Sequence, residues 1–260
     1  MNYQNLLKKH EKVLKRDVFQ THNKWPHFNL IFEDIKKINK NLKKNSNILA
    51  LERTNLYGGI SLFAPFFKDH KFISVDCSTN NILKRGNYNS KYVKDKNIIK
   101  INLDFKCNYK EILKLRIQKR SFDYIIIPNL LHHIFDYQIL FDNCKKLLKK
   151  NGKLYIFEPL LRELHQKPDD FFRFSPYSLE KILKKMKFQN FKVKFSGSAF
   201  TAVAYCWDQA LQYIPKNKRK KFENYINFKT ILDLEKKFKK NLVRKHTSFP
   251  VSFSITSSNV

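Results

Sequence analysis

The sequence predicts an α/β protein with a mostly parallel sheet, because short apolar segments alternate with helical patterns along the chain. Three of these segments, residues 98–103, 122–127 and 153–157, each end in polar residues and precede a helical pattern. Two more lie upstream, at residues 47–51 and 71–75. Parallel strands end at one edge of their sheet, and ligands bind at that edge where the strand order reverses. We therefore expect the functional site among the polar residues that follow these strands.

Helices and two further strands are expected on either side of these segments. Residues 28–42 are predicted to form a helix, because apolar side chains recur there at spacings of three and four, namely Leu30, Ile31, Ile35 and Ile38. The other expected elements are helices at residues 2–20, 198–213, 216–225 and 230–243 and strands at residues 191–195 and 251–256.

The chain of 260 residues contains no internal repeat and no low-complexity linker. We expect an N-terminal helical extension at residues 1–45 and a domain at residues 46–260, with a helical insertion at residues 198–250 before the last strand. One face of the first inserted helix is predicted to be buried, and its apolar positions are Val203, Trp207, Leu211 and Ile214. The insertion would form a lid over a substrate pocket, cover the sheet, or form a dimer interface.

Composition excludes several classes of protein. No apolar run reaches the ~18 residues of a membrane-spanning helix, and residues 1–16 lack the apolar region of a secretory signal. The four cysteines are scattered, with no CxxC pair and no histidine at metal-ligand spacing. The sequence therefore predicts a cytoplasmic protein with reduced thiols, no disulfide framework and no metal site.

The formal net charge of +30 comes from 52 Lys and Arg residues against 22 Asp and Glu residues. Most of the basic residues are Lys and lie along every predicted helix, whereas bidentate recognition of phosphates and bases favours Arg. A solvated surface explains this distribution better than a dedicated nucleic-acid site. Nucleic acid is therefore not the favoured partner, although a weak attraction to anionic polymers follows from the charge.

Five segments of the chain carry a resemblance to a known family. In order, they are KFISVDCS at residues 71–78, NLDF at 102–105, SFDYIIIPNLLHHIFD at 121–136, LLKKNGKLYIFEP at 147–159 and DDFFRFSPYSLEKILKKMKF at 169–188. Over residues 47–195, and more loosely in the final strand, the chain resembles class I S-adenosylmethionine-dependent methyltransferases that modify small molecules and saccharides. The order and spacing of the five segments carry the resemblance.

This resemblance implies a Rossmann-like class I methyltransferase fold, with a mostly parallel seven-stranded sheet, an antiparallel last strand and helices on both faces. It also implies S-adenosyl-L-methionine as the cofactor and a small-molecule or saccharide-like acceptor. The alternative is a non-catalytic methyltransferase-like binding protein with a decayed cofactor site that engages anionic polymers. A nicotinamide-binding Rossmann protein is less favoured, because the first turn lacks its glycine fingerprint.

Several residues after the second, third and fourth strands are expected at the cofactor. Asp76 ends the second strand, where a carboxylate accepts hydrogen bonds from both ribose hydroxyls, or else it caps the following turn. Asp104 would accept a hydrogen bond from the adenine amino group, with Phe105 or Cys77 packed on the ring, or it would lie in a surface turn. Asn129 would line the methionine end of the cofactor or hold a structural turn.

The first loop departs from the family pattern. Ala50 replaces the usual acidic residue of the first strand, and other residues replace the expected glycine turn. Gly58 and Gly59 come slightly later, at the start of the next helix. The loop is either remodelled, with these glycines allowing close approach of the ligand, or decayed. In a remodelled loop, Glu52 or Thr54 would contact the methionine ammonium and carboxylate groups.

His132 and His133 follow the fourth strand, near the expected position of the transferable methyl group. Histidine titrates near neutral pH, so either residue is a candidate base for an acceptor hydroxyl or amine. Adjacent residues on a helix do not face the same way. We expect His133 to face the pocket and its neighbour to pack under the helix or cap it.

Two further residues are candidates for substrate binding. Glu158 ends the fifth strand, and Arg173 lies in the loop on the acceptor side. Arg173 has an equally favoured alternative, which is a loop clasp formed with Asp169 or Asp170.

Overall fold

The computed structural model describes residues 26–52, 61, 63–67, 69–76, 99–102, 120–165, 167–223, 228–238 and 249–260. The expected helix at residues 2–20 lies outside the described residues, as do the candidate site residues Thr54, Gly58, Gly59, Cys77, Asp104 and Phe105. Within the described part of the chain, no helix combines the length and apolar character needed to cross a membrane.

Strands and helices alternate along the described chain. The strands are β1 (Asn47–Glu52), β2 (Lys71–Asp76), β3 (Ile99–Asn102), β4 (Phe122–Pro128), β5 (Leu148–Pro159), β6 (Phe188–Ser196) and β7 (Ser252–Asn259). The α-helices are α1 (Pro26–Asn41), α2 (Tyr137–Leu147), α3 (Pro176–Lys185), α4 (Ala199–Gln212), α5 (Arg219–Glu223) and α6 (Phe228–Phe238). Short 3-10 helices occupy Ala64–Phe67 and Leu131–His133. Every strand expected from the sequence is present, although several ends differ.

The strands form one seven-stranded sheet in the order β3-β2-β1-β4-β5-β7-β6. The pairs β1/β2, β1/β4, β2/β3 and β4/β5 are parallel. The strand order reverses between β1 and β4, so a ligand crevice is expected beyond the carboxyl ends of these two strands. This arrangement confirms the expected Rossmann-like α/β architecture.

The central strands are buried along nearly their whole length. In β4, Ile125, Ile126 and Ile127 are fully buried, which explains why this strand is apolar without alternation. Burial of one such side chain stabilises the fold by ~1.5–3 kcal/mol. The apolar face predicted for helix α1 is also confirmed, since all four of its residues are buried, namely Leu30, Ile31, Ile35 and Ile38.

Strand β5 starts five residues before its predicted start at Lys153. The pairing with β4 is irregular there: Phe122 pairs with Leu148, whereas Tyr124 pairs with Lys153. Gly152 lies at this irregularity, and a Cβ atom there would lie 2.9 Å from the Lys149 carbonyl oxygen and 3.0 Å from that of Phe122. The polar stretch that resembles a turn in the sequence is therefore a distorted extension of the strand.

The described residues group into two compact units. One unit contains most of the sheet and comprises the described parts of residues 33–158, 164–194 and 254–260. The other contains helices α4, α5 and α6 and comprises residues 26–32, 159–163 and the described parts of 195–253. The expected division into an N-terminal extension and a domain from residue 46 stays a prediction.

The buried face of helix α4 differs from the predicted one. Of the predicted positions, Leu211 is buried, as expected, whereas Val203 is 50% exposed, so the prediction is wrong for Val203. The buried positions are instead Ala202, Ala204, Tyr205, Asp208 and Leu211. Tyr205 fixes this orientation, because its hydroxyl group donates a 2.6 Å hydrogen bond to the Glu163 carboxylate in the same unit.

Candidate active site

The carboxyl ends of β1, β2 and β3 bring three polar residues into register. Glu52 pairs with Asp76, and Asp76 pairs with Asn102. Asp76 is the last residue of β2, as expected, and β2 adjoins the strand at which the order reverses. The position of Asp76 in the fold is thus confirmed, while its contact with a ribose stays a prediction.

Glu52 lies at the end of β1 rather than in the loop where the sequence placed it. Its carboxylate is buried and accepts hydrogen bonds from the hydroxyl groups of Ser61, at 2.5 Å, and Ser74, at 3.0 Å. The Ser61 oxygen in turn accepts hydrogen bonds from the backbone N–H groups of Phe63 and Ala64, where a 3-10 helix begins. Glu52 therefore ties the end of β1 to β2 and to the chain that follows the first loop.

Asn129 forms the turn that follows β4. Its φ angle is +54°, a conformation that Asn tolerates better than most residues. Its backbone N–H group donates a 2.8 Å hydrogen bond to the Phe157 carbonyl oxygen, which joins the turn to β5. The structural turn foreseen for Asn129 is thus present, and a contact with the methionine end of the cofactor stays a prediction.

Glu158 holds the segment after β4 in place from the end of β5. Glu158 is fully buried, and its carboxylate accepts hydrogen bonds from the backbone N–H groups of Leu130, Leu131 and His132, at 3.2, 2.7 and 3.3 Å. A fourth contact, 2.6 Å long, joins Glu158 Oε2 to Nδ1 of His132. The geometry gives Glu158 a positioning role, and a direct contact with a substrate stays a prediction.

The Glu158–His132 contact sets the tautomer of the histidine. Burial raises the pKa of Glu158 to about 8, while the three backbone donors and the charge of Arg173 oppose this rise. The backbone N–H groups favour the ionised carboxylate, and in that form of Glu158 the proton of this contact lies on Nδ1 of His132. Nε2 of His132 then carries the lone pair.

His132 and His133 lie side by side, with ring centroids 3.9 Å apart. They occupy a single 3-10 turn rather than an α-helix. His132 is 0% exposed and His133 is 6% exposed. Nδ1 of His133 bonds the backbone carbonyl oxygen of Asp169, so the acceptor-side loop covers this turn.

Asp170 and Arg173 form the loop clasp that the sequence allowed. Two guanidinium nitrogens of Arg173 contact the two carboxylate oxygens of Asp170, at 2.5 and 2.9 Å. The same carboxylate accepts a 2.9 Å hydrogen bond from the His165 backbone N–H group and lies 3.2 Å from its Nδ1. Although burial favours the neutral acid, Arg173 and His165 hold the pKa of Asp170 well below its usual range.

A group of aromatic side chains adjoins the histidine turn. Phe135 packs against Phe171 and Phe172, with ring centroids 5.4 and 5.9 Å apart, and Tyr137 packs edge-on against Phe172 and Phe174. Phe135 and Phe171 are exposed. Apolar surface is thus available beside the buried polar groups.

Sequence reasoning missed three residues of this site, namely Ser61, Ser74 and His165. The two serines are separated from Glu52 by 9 and 22 positions, and a single sequence gives no sign that they meet it. His165 had a detectable signal, because it lies five positions before Asp170 and just ahead of the segment already assigned to the acceptor side.

Comparisons with known proteins agree with this architecture. Residues 58–156 match the family model described as a methyltransferase domain. The fold is similar to that of a SAM-dependent methyltransferase from Archaeoglobus fulgidus, with a TM-score of 0.51, 16% identity and coverage of 88% of this chain and 93% of that chain.

A second similar structure is phosphoethanolamine N-methyltransferase 2 of Haemonchus contortus in complex with phosphomonomethylethanolamine and S-adenosylhomocysteine. Its TM-score is 0.51 at 17% identity, and the match covers 95% of this chain and 59% of that chain. No curated protein matches the sequence at a significant level.

The strand order and the match of residues 58–156 to a methyltransferase domain agree with a class I methyltransferase fold. The likeness to these two solved structures, at 16% and 17% identity, is a likeness of fold.

Proposed function

We propose that the protein methylates a hydroxyl or amine group of a small-molecule or saccharide-like acceptor. The observation that supports this proposal is the pair of buried histidines that follows β4, with His132 held by Glu158. A base at this place would lie beside the crevice expected where the strand order reverses.

The strand ends beside that crevice fit the cofactor. Asp76 would accept hydrogen bonds from the ribose hydroxyls, and Glu52 would supply negative charge near the methionine ammonium group. Asp104, with Phe105 or Cys77, would hold the adenine, and Thr54, Gly58, Gly59 and Asn129 would complete the contacts. When bound, the cofactor supplies a methyl group on a positively charged sulfur atom.

On the acceptor side, His132 and His133 would have different roles. When ionised, Glu158 would keep the Nδ1 proton on His132, and its hydrogen bonds to the 3-10 turn would let His132 position its neighbour. His133 would take the proton from the acceptor through Nε2, since its Nδ1 is engaged with the Asp169 carbonyl oxygen. Arg173, one quarter exposed, would bind an anionic or polar part of the acceptor while it orders the loop.

The acceptor class is supported by the fold comparison and by the site. The similar Haemonchus contortus enzyme is in complex with phosphomonomethylethanolamine, a small phosphorylated amine. The exposed rings of Phe135 and Phe171 and the charge of Arg173 would suit a small amphipathic molecule. Phosphorylated amines, amino sugars and simple saccharides are therefore the first acceptors to assay.

The test is a methyl-transfer assay that measures S-adenosylhomocysteine formation with each acceptor. We expect turnover with at least one of them and a loss of at least about 100-fold in kcat for His133→Ala, as removal of a general base gives. His70→Gln is the matched control, because His70 is also buried but bonds Asn39 elsewhere in the fold. Full activity in His133→Ala would remove the proposed base, and no turnover together with no cofactor binding would favour the decayed-site alternative.

A further inference from the structure

We propose that His132, His133 and His165 form a binding site for one divalent transition-metal ion of the zinc type. One imidazole nitrogen from each residue lies within 4.8 Å of the other two. The ring centroids are separated by 3.9 Å for His132 and His133, by 4.8 Å for His133 and His165, and by 5.3 Å for His132 and His165. Three imidazoles this close need only small rotations to reach one ion at ~2.0–2.1 Å.

The hydrogen bonds of the three rings favour the same tautomer in each. Nδ1 of His132 faces Glu158 Oε2 at 2.6 Å, Nδ1 of His133 faces the Asp169 carbonyl oxygen, and Nδ1 of His165 faces Asp170 Oδ2 at 3.2 Å. With Glu158 and Asp170 ionised, each Nδ1 carries a proton and donates it to oxygen, which places the lone pair on Nε2. Metal-binding histidines almost always have this second interaction with a carboxylate or a backbone carbonyl.

The oxygen partners are themselves fixed. Three backbone N–H groups hold Glu158, and the guanidinium group of Arg173 holds Asp170. The two carboxylates add negative charge behind the imidazoles, which would offset the charge of a bound cation. The orienting groups that metal sites require are therefore present at all three rings.

The ligand type indicates the class of metal. Neutral imidazoles suit zinc, copper, nickel and iron, whereas magnesium and calcium prefer oxygen ligands. Three protein ligands leave a fourth position open in a tetrahedral site, as in catalytic rather than structural zinc centres. The position would take water, or the acceptor oxygen or nitrogen atom.

This last consequence rests on the proposed function, whereas metal binding does not. An acceptor group bound to the ion would lose its proton more readily, so the ion would replace His133 as the means of activating the acceptor. The sequence predicted no metal site because no histidines have metal-ligand spacing. In the folded chain, the loop that contains His165 packs against the turn after β4, and this brings the three histidines together.

Cobalt(II) titration of the full chain, after tag removal and treatment with a chelator, tests the proposal. We expect one ion per chain, the strong visible absorption of tetrahedral cobalt with nitrogen ligands, and displacement of cobalt by zinc. His165→Ala and His133→Ala should each weaken cobalt affinity at least about 100-fold, and Glu158→Gln, which alters an orienting group, about 10- to 100-fold. His70→Gln should bind cobalt as the wild type does.

The proposal would be overturned if the wild type gave no cobalt spectrum. It would also be overturned if the His165 and His133 variants bound cobalt as tightly as the wild type. His165→Gln keeps the size of the side chain and serves if His165→Ala does not fold, as judged by circular dichroism. Metal binding without methyl transfer would contradict the proposed function alone. Methyl transfer that depends on His133, in a protein that does not bind cobalt, would contradict the metal site alone.

Discussion

The two halves of the carboxyl edge are built differently. Beside β1 and β2, Glu52 and Asp76 end adjacent strands, and the first loop departs from the glycine-rich pattern of the family. Beside β4 and β5, Glu158 joins two strand ends through four polar contacts to one short turn. We call the edge beside β1 and β2 the cofactor half, and it combines conventional strand ends with an unusual loop. We call the edge beside β4 and β5 the acceptor half, and its buried polar groups are joined by hydrogen bonds.

This difference suggests where each half tolerates change. A buried carboxylate with several donors cannot be removed without leaving those donors unsatisfied. Substitutions in the acceptor half should therefore lower the free energy of unfolding. Substitutions in the cofactor half should mainly lower the affinity for the cofactor. Measuring both the unfolding free energy and the cofactor affinity of variants in each half therefore tests this difference.

The largest effect is expected for Glu158→Leu. It should lower the free energy of unfolding by ~3–5 kcal/mol, because it leaves three backbone N–H groups and His132 without their buried acceptor. Urea unfolding measures this change. Glu180→Leu, which removes only a surface ion pair with Lys184, should cost less than ~1 kcal/mol. Similar losses in both variants would show that the network contributes no more than a surface pair.

Asp76→Ala should weaken S-adenosylmethionine binding by ~2 kcal/mol or more, about 30-fold, because it removes charge-assisted hydrogen bonds to the ribose. Isothermal titration calorimetry measures the affinity, and thermal unfolding should show a stable fold. Asp142→Ala, an exposed carboxylate on α2, is the control. Unchanged affinity in Asp76→Ala would move the ribose contact to another residue.

Arg173→Lys should raise the KM for the acceptor several-fold while leaving cofactor affinity unchanged. Lysine keeps the charge but loses the planar fork that contacts both oxygens of Asp170, so the loop would be held less firmly. Steady-state kinetics with each substrate varied in turn separates the two effects. A change confined to cofactor affinity would place Arg173 in the wrong half of the edge.

The smallest effect is expected for Glu52→Gln. The amide oxygen still accepts the hydrogen bonds of Ser61 and Ser74, so stability should change by less than ~1 kcal/mol. Cofactor affinity should fall a few-fold, because negative charge near the methionine ammonium group is lost. Ser74→Ala, which keeps that charge, should leave affinity unchanged in calorimetry. If Ser74→Ala lowered cofactor affinity more than Glu52→Gln did, Glu52 would serve only to join the strands.

The strands were predictable because burial on both faces makes them continuously apolar. Residues 122–127 and 47–51 were placed within one residue of β4 and β1. Strand β5 was predicted too short, since its first residues are polar and pair irregularly with Phe122. The buried face of α4 was assigned from large apolar residues, whereas small alanines and a tyrosine with a polar partner are buried instead.

The candidate site was predictable only where it follows from strand ends. Asp76 and Glu158 lie where the sequence placed them, because the end of an apolar run marks the carboxyl edge. The cluster with His165 was not predictable, since it depends on how a loop returns to the turn after β4. The contacts of Glu52 with two serines likewise depend on tertiary structure.

Calorimetric titration of the full chain with S-adenosylhomocysteine tests most directly whether the unusual first loop still supports a cofactor site. We expect one binding site per chain and a rise in the thermal unfolding temperature, since a ligand that binds only the folded state stabilises it. No heat and no thermal shift at millimolar ligand would contradict a working cofactor half, even with the acceptor half intact.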